Sequence, residues 1–110
     1  MRENQKLYVV TRRDLAPGTQ AVQGMHALVE FSAYHTEEYF KWFRESNHLC
    51  FLSVDSELEL DKLCSKLYNA KVKYCGFREP DLNMTLTALA IEASDEASDT
   101  VKDLKLALRW

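Results

Sequence analysis

The sequence predicts an α/β domain: a four-stranded mixed β-sheet covered by helices, with elements in the order β-α-α-β-α-β-β-α. Three observations predict it. Short, largely apolar runs recur at positions 7–10, 49–54 and 85–91. Stretches with helical spacing separate the first three strands. The last two strands follow one another with only a turn between them, so the sheet cannot be wholly parallel.

The first strand, 7–10, is brief, aromatic and β-branched, which marks a buried strand. A polar turn, Thr11-Arg12-Arg13-Asp14, follows. Pro17 and Gly18 open a helix, since proline's missing N–H costs nothing at the first helical position. Its two faces differ. Ala21, Val22, Met25, Leu28 and Val29 fall on one side; Thr19, Gln23, His26 and Glu30 form a polar stripe. Thr36 can cap a second helix, with Glu37 and Glu38 in its first turn, where acids suit the dipole. Tyr39, Phe40 and Phe43 give that helix an apolar face for the core or a dimer interface. Tyr39 and Trp42 read alternatively as surface aromatics.

After the second strand, Ser56 to Glu59 is a capping box. Leu60, Leu63, Cys64 and Leu67 make the inward stripe of the third helix, and Asn69 is its C-cap. Val72, Tyr74 and Phe77 mark the third strand. Lys71 and Lys73 alternate with the first two of these, so one face is solvated. Arg78-Glu79-Pro80-Asp81-Leu82-Asn83 carries the most concentrated turn signal. Thr85 to Ile91 is the fourth strand. Ser94, Asp95 and Glu96 start a last helix with Ala97, Val101, Leu104 and Leu108 at helical spacing.

A chain of 110 residues makes one domain, 1–110, with a single modest core. A net charge of −3 argues against broad coating of nucleic acid, though not against a local basic patch. Cys50, Cys64 and Cys75 lack metal-ligand spacing and read as small buried hydrophobes in a reducing compartment, so no metal is expected. No apolar run is long enough to span a membrane. The polar start, Met1 to Lys6, has no signal-peptide core. The expectation is a soluble cytoplasmic protein that does not engage membranes.

In an open α/β sheet, ligands sit beyond the carboxyl ends of the strands. The first strand ends at Arg12-Arg13-Asp14 and the third at Arg78-Glu79-Pro80-Asp81. If both run the same way, these loops share one rim. The helix opened by Gly18 and Thr19 points free amides at that rim, where an anion can bind. Each residue also has an ordinary reading. Gln23 is a good helix former, Asp14 and Asp81 are common turn residues, and His26 can be a hydrogen-bonded helix residue. His35 and His48 read as surface residues. Convergence on one rim is what points to a site.

Thr11-Arg12-Arg13-Asp14-Leu15, then Gly18, then Ala21-Val22-Gln23-Gly24-Met25-His26-Ala27 resembles the N-terminal signature of type II peptidyl-tRNA hydrolases. Phe77 to Asp81, followed by Leu86 to Ile91, resembles that family's third-strand exit and last strand. The order of elements agrees across nearly the whole chain. The resemblance implies helices on both faces of the sheet, often a homodimer, and cleavage of the ester joining a peptide to tRNA without a cofactor. Two departures stand out. The family's helix start usually carries lysines, one of them implicated in catalysis, where this chain has Ala16-Pro17-Gly18-Thr19. The family's later loop usually reads Asp-Ala-Gly-x-Thr, where this chain has Glu79-Pro80-Asp81-Leu82-Asn83 running into Met84-Thr85. The chain is similar to a divergent, peptidyl-tRNA hydrolase-like subgroup.

Two functions are therefore expected from the same surface. In the first, an esterase, His26 is the general base or orients water, Asp81 or else Glu79 orients it, and Gln23 holds water or substrate. The Gly18 and Thr19 amides stabilise the oxyanion or bind a phosphate. Arg12, Arg13 and Arg78 contact tRNA phosphates, with Asp14 beside them. In the second, a binding module without catalysis takes tRNA, a nucleotide or a protein. The absent lysine favours binding and the retained Gln23-x-x-His26 favours chemistry. A third reading, an interaction subunit using an aromatic patch of Tyr39, Trp42 and Phe43, ranks below both.

Overall fold

The computed structural model describes residues 4–109; the start Met1-Arg2-Glu3, read as part of a polar leaderless end, lies outside them. The strands are β1 (Lys6–Arg12), β2 (His48–Val54), β3 (Tyr74–Glu79), β4 (Thr85–Ile91) and β5 (Lys105–Leu106). They form one sheet in the order β3-β4-β1-β2-β5. β1 pairs parallel with β2 and antiparallel with β4, while β3 pairs antiparallel with β4. β1, β2 and β3 therefore run the same way, and their carboxyl ends share one rim.

The sheet has five strands, not the four that the sequence predicts. The fifth falls inside the expected last helix. That helix, α4 (Asp95–Val101), ends early, so Leu104 and Leu108 lie beyond it. Beyond residue 104, Leu106 and Leu108 also fit a period of two, and the open edge of β2 decides between the periods. Leu106 pairs with Leu52, and the Ala107 N–H donates to the Phe51 carbonyl at 2.9 Å.

Helices α1 (Pro17–Tyr34) and α2 (Thr36–Arg44) lie on one face, and α3 (Glu57–Asn69) lies with α4 on the other. Val10, Leu52, Leu60, Leu63, Leu67, Leu89, Ile91 and Val101 fill the α3–α4 side. Leu7, Val9, Ala27, Phe31, Trp42, Ala88 and Ala90 fill the α1–α2 side. The Ser56 and Ser94 hydroxyls accept the amides of Glu59 and Ala97, as N-caps do. Glu59 does not complete the capping box; its carboxylate meets Lys62 at 3.4 Å. Thr36 does not cap α2, because its hydroxyl donates back to carbonyls in the last turn of α1.

The buried face of α1 is not its apolar side. Gln20, Gln23, Gly24, Ala27 and Phe31 are buried, while Val22, Met25 and Val29 are exposed. The sheet beneath the helix explains this. Ala88 and Ala90 on β4 are small, so a helix approaches closely only through small residues such as Gly24 and Ala27. A Cβ built on Gly24 would come within 2.9 Å of the Phe51 ring. The same face beyond β1 has no helix over it, which leaves the apolar stripe beside Leu49 and Phe51. In α2 the aromatic assignment also inverts. Trp42 is buried, its indole N–H donating to the His48 carbonyl, whereas Phe40 and Phe43 are exposed.

The two faces of α1 predict opposite costs of truncation. Phe31→Ala, which empties a fully buried ring site, should lower unfolding stability by about 3–5 kcal/mol. Tyr34→Ala, at an exposed position near the end of the same helix, should stay within about 0.5 kcal/mol. Urea denaturation of both variants reads the difference, and a larger loss from Tyr34 would contradict this packing.

Candidate functional site

A β-bulge builds the site. The β3–β4 register runs Phe77 opposite Ala88 and then Arg78 opposite Leu86, so Thr87 is the extra residue. Alternation along β4 flips there. Leu86 and Leu89 face α3 and α4, whereas Ala88 packs toward α1 and Thr87 reaches α1 as well. The Thr87 hydroxyl donates to Gln23 Oε1 at 2.6 Å, and the Gln23 amide N–H donates to Glu79 Oε1 at 2.9 Å. Glu79 Oε2 accepts the Asp81 backbone N–H at 3.2 Å. Thr87 and Gln23 are buried, and Thr11 supports them by donating to the Thr87 carbonyl. The amide orientation of Gln23 follows from its neighbours: the reverse would set its oxygen against a carboxylate.

These bonds act on Glu79. The Gln23 N–H, then the Asp81 N–H, hold its carboxyl below the ordinary glutamate value, and His26 adds a smaller attraction. His26 is exposed on α1, three residues beyond Gln23, with its ring stacked on Phe77 at 4.4 Å and 4°. A flat stack fixes the plane of the imidazole and leaves its edges free. Of the two acids weighed in the sequence, Glu79 is the one joined to Gln23 and beside His26. The Asp81 carboxylate makes no hydrogen bond or ion pair among the described residues. Gln23 has its Oε1 bonded to Thr87 and an amide hydrogen bonded to Glu79, and is 3 % exposed, so it positions Glu79. Thr87 and Phe77 are site residues that the sequence pattern does not reveal as such. Thr87 had one readable signal: a hydroxyl midway along an otherwise apolar strand needs a buried partner.

The arginines are engaged within the chain. Arg12 makes a two-pronged pair with Asp14 and donates to the Leu86 carbonyl. That pairing raises the arginine and lowers the aspartate from their ordinary values. Arg13 donates to Asp55 and to the Ser53 hydroxyl. Arg78 is about half exposed, donates to the Met84 carbonyl and lies 3.9 Å from Glu57. Gly18 and Thr19 sit in the first turn of α1, whose N-cap Ala16 offers no side-chain bond. Thr19 is seven residues from His26, roughly 10 Å along the axis. That separation suits a phosphate next to a reacting ester better than the ester itself.

The loop after β3 turns through Pro80–Leu82, and Asn83 closes it at φ 57°. That backbone lies in the left-handed region that Asn tolerates best after glycine. Among the described residues no group of three His, Cys, Asp or Glu is placed to hold a metal ion. The three cysteines are free; burial pushes the Cys75 thiol up to about 11, helped by Glu30.

A mixed α/β sheet with an oriented carboxylate, Glu79, and an exposed imidazole, His26, near one another beyond the parallel strand ends defines a candidate hydrolase domain. A family model described as peptidyl-tRNA hydrolase PTH2 matches residues 5–107, nearly the whole chain. The chain belongs to that peptidyl-tRNA hydrolase family. A comparison with curated proteins finds no match. No helix among the described residues is long and apolar enough to cross a membrane.

The Gln23–Glu79 bond sets a pH dependence. A carboxyl with a lowered folded value adds stability above the unfolded carboxylate range and loses it as pH falls through the folded value. Gln23→Met removes the leading cause, so the Glu79 titration followed by carboxyl NMR should move up toward the ordinary value. An unmoved titration would show that the bond does not hold the charge.

Proposed function

We propose that the chain is an esterase that cleaves the bond between a peptide, or an N-blocked aminoacyl group, and tRNA. The observation that carries this reading is the hydrogen-bonded chain Thr87–Gln23–Glu79, whose carboxylate lies near enough to His26 for a weak electrostatic attraction without a direct hydrogen bond. Ester hydrolysis needs a group to take a proton from water as it attacks the carbonyl. His26, exposed and held flat by Phe77, takes that proton through a ring nitrogen. Glu79 stays ionised because Gln23 and the Asp81 amide hold it so, and its charge stabilises the imidazolium that forms. The proton then passes to the leaving ribose oxygen. The first-turn amides of Gly18 and Thr19 bind the phosphate next to the ester. Arg78, the more open of the two rim arginines flanking β4, meets the tRNA backbone. Arg12, locked to Asp14, shapes the turn instead.

The alternative, a binding module without turnover, has the missing lysine in its favour, but it gives no reason for an oriented carboxylate–imidazole pair. Hydrolysis of N-blocked aminoacyl-tRNA by the pure protein decides between them. His26→Ala should lose about 10²–10⁴-fold in kcat/KM. Wild-type protein that binds tRNA without turnover would overturn the enzyme reading, and equal rates for the two would remove His26.

The homodimer implied by the resemblance has a surface suited to it. Ala21, Gly24, Met25, Leu28, Leu49 and Phe51 line an apolar groove of about 270 Å³ between α1 and β2. Val22 and Val29 extend it along the helix. Sedimentation velocity at micromolar protein should give the mass of two chains, and Met25→Glu should shift it to one. A monomeric wild type would rule the dimer out.

A further inference from the structure

We propose that a cleft between the turn after β1 and the C-terminal segment binds a backbone phosphate of tRNA through Arg13, Lys105 and Arg109. The proposal rests on the reading that tRNA is the substrate, and adds to Arg13, expected from the sequence to meet tRNA phosphates, two cations of the C-terminal segment that the family match does not assign. Arg13, Lys105, Leu106 and Arg109 line a cleft of about 330 Å³. Three cations around one cleft on a chain of net charge −3 is a concentration of charge that needs a partner.

The site is held from below. Arg13 donates through Nε to Asp55 at 2.6 Å and through Nη1 to the Ser53 hydroxyl at 2.9 Å, which leaves its Nη2 edge open. Lys105 is the direct cross-strand partner of Ser53, so both side chains leave the same face of the sheet. The Ala107 N–H anchors the segment to the Phe51 carbonyl, and Leu108 at φ 60° turns the chain before Arg109. Lys105 and Arg109 make no hydrogen bond or ion pair among the described residues. Asp55 is the one acid directly on the cluster, and it faces the Nε side of Arg13.

A guanidinium fork beside an ammonium suits a tetrahedral phosphate: Arg offers paired donors and Lys a point charge. The position suits a nucleic acid. The cleft lies where β2 ends, on the same rim as Glu79. The two are separated by the four strand intervals from β3 to β5, roughly 19 Å. A few nucleotides span that distance, so a chain with its ester at His26 can lay an upstream phosphate in the cleft. The cluster also supplies cationic side chains near a helix start that has no lysine of its own.

The test is filter binding of deacylated tRNA to the full chain across a salt series, for wild type and the Lys105→Gln, Arg109→Gln double variant. Both side chains are exposed, so thermal unfolding should not move. The double variant should bind about tenfold more weakly at low salt. Its slope of log K against log salt should fall by about 1.5 to 2, close to one per cation removed. Deacylated tRNA makes the result independent of turnover. A changed slope in a protein without hydrolase activity would overturn the catalytic reading and support the cleft. Unchanged affinity and slope would overturn the cleft and leave catalysis untouched. An equal loss of inorganic phosphate binding, with tRNA binding unaltered, would mark a free-phosphate site and overturn the tRNA assignment.

Discussion

One extra residue in β4 holds the site together. Without the bulge, Thr87 would follow the pleat toward α3, and Gln23 would lie buried on the sheet with its carbonyl oxygen unpaired. A buried amide oxygen without a donor costs about 1–3 kcal/mol. The bulge turns the Thr87 hydroxyl toward α1 instead, which satisfies Gln23 and commits its N–H to Glu79. The strand irregularity thereby fixes a carboxylate at the mouth of the rim through two buried side chains. Bulges commonly re-aim a side chain next to active sites, and this one does so without a glycine.

The topology decides what that carboxylate can meet. Because β1, β2 and β3 run in parallel, the turn after β1, the start of α3 and the loop after β3 converge beyond one edge. α1 starts at that edge and crosses β1, β4 and β3 on small residues, which brings His26 over Phe77 and beside Glu79. The rim is then divided by charge. Arg12 with Asp14, and Arg13 with Asp55, stiffen the turns. Glu79, Asp81 and Arg78 stand at the β3 end, and Lys105 and Arg109 at the β5 end. A polyanion with its reactive end at β3 and its backbone toward β5 fits that gradient.

Much of this is legible in the residues. The strand runs, the Ser56 and Ser94 caps, the proline-opened helix and the rim shared by Arg12 and Glu79 all follow from local pattern. What the pattern misses has a common cause: a period records polarity, not what lies opposite. The apolar side of α1 is uncovered because no helix packs over β2 and β5 on that face, and Gln23 alone of the polar stripe is buried because Thr87 receives it. Trp42 is interior because its N–H finds the His48 carbonyl. β5 needs a partner, β2, that is half the chain away in sequence. In the site, Gln23 and His26 are visible at their spacing. The choice of Glu79 over Asp81, and the parts of Thr87 and Phe77, depend on a register shift that no residue type announces.

The central claim is that the bonded chain holds Glu79 beside His26 as one unit. A double-mutant cycle on the hydrolysis of N-blocked aminoacyl-tRNA measures that coupling most directly, with His26→Ala, Glu79→Gln and the pair together. If the two residues act together, the double variant is about as slow as His26→Ala alone, and kcat/KM shows a coupling of about 1–3 kcal/mol. If the two losses multiply, each residue acts alone and the account of the site is contradicted.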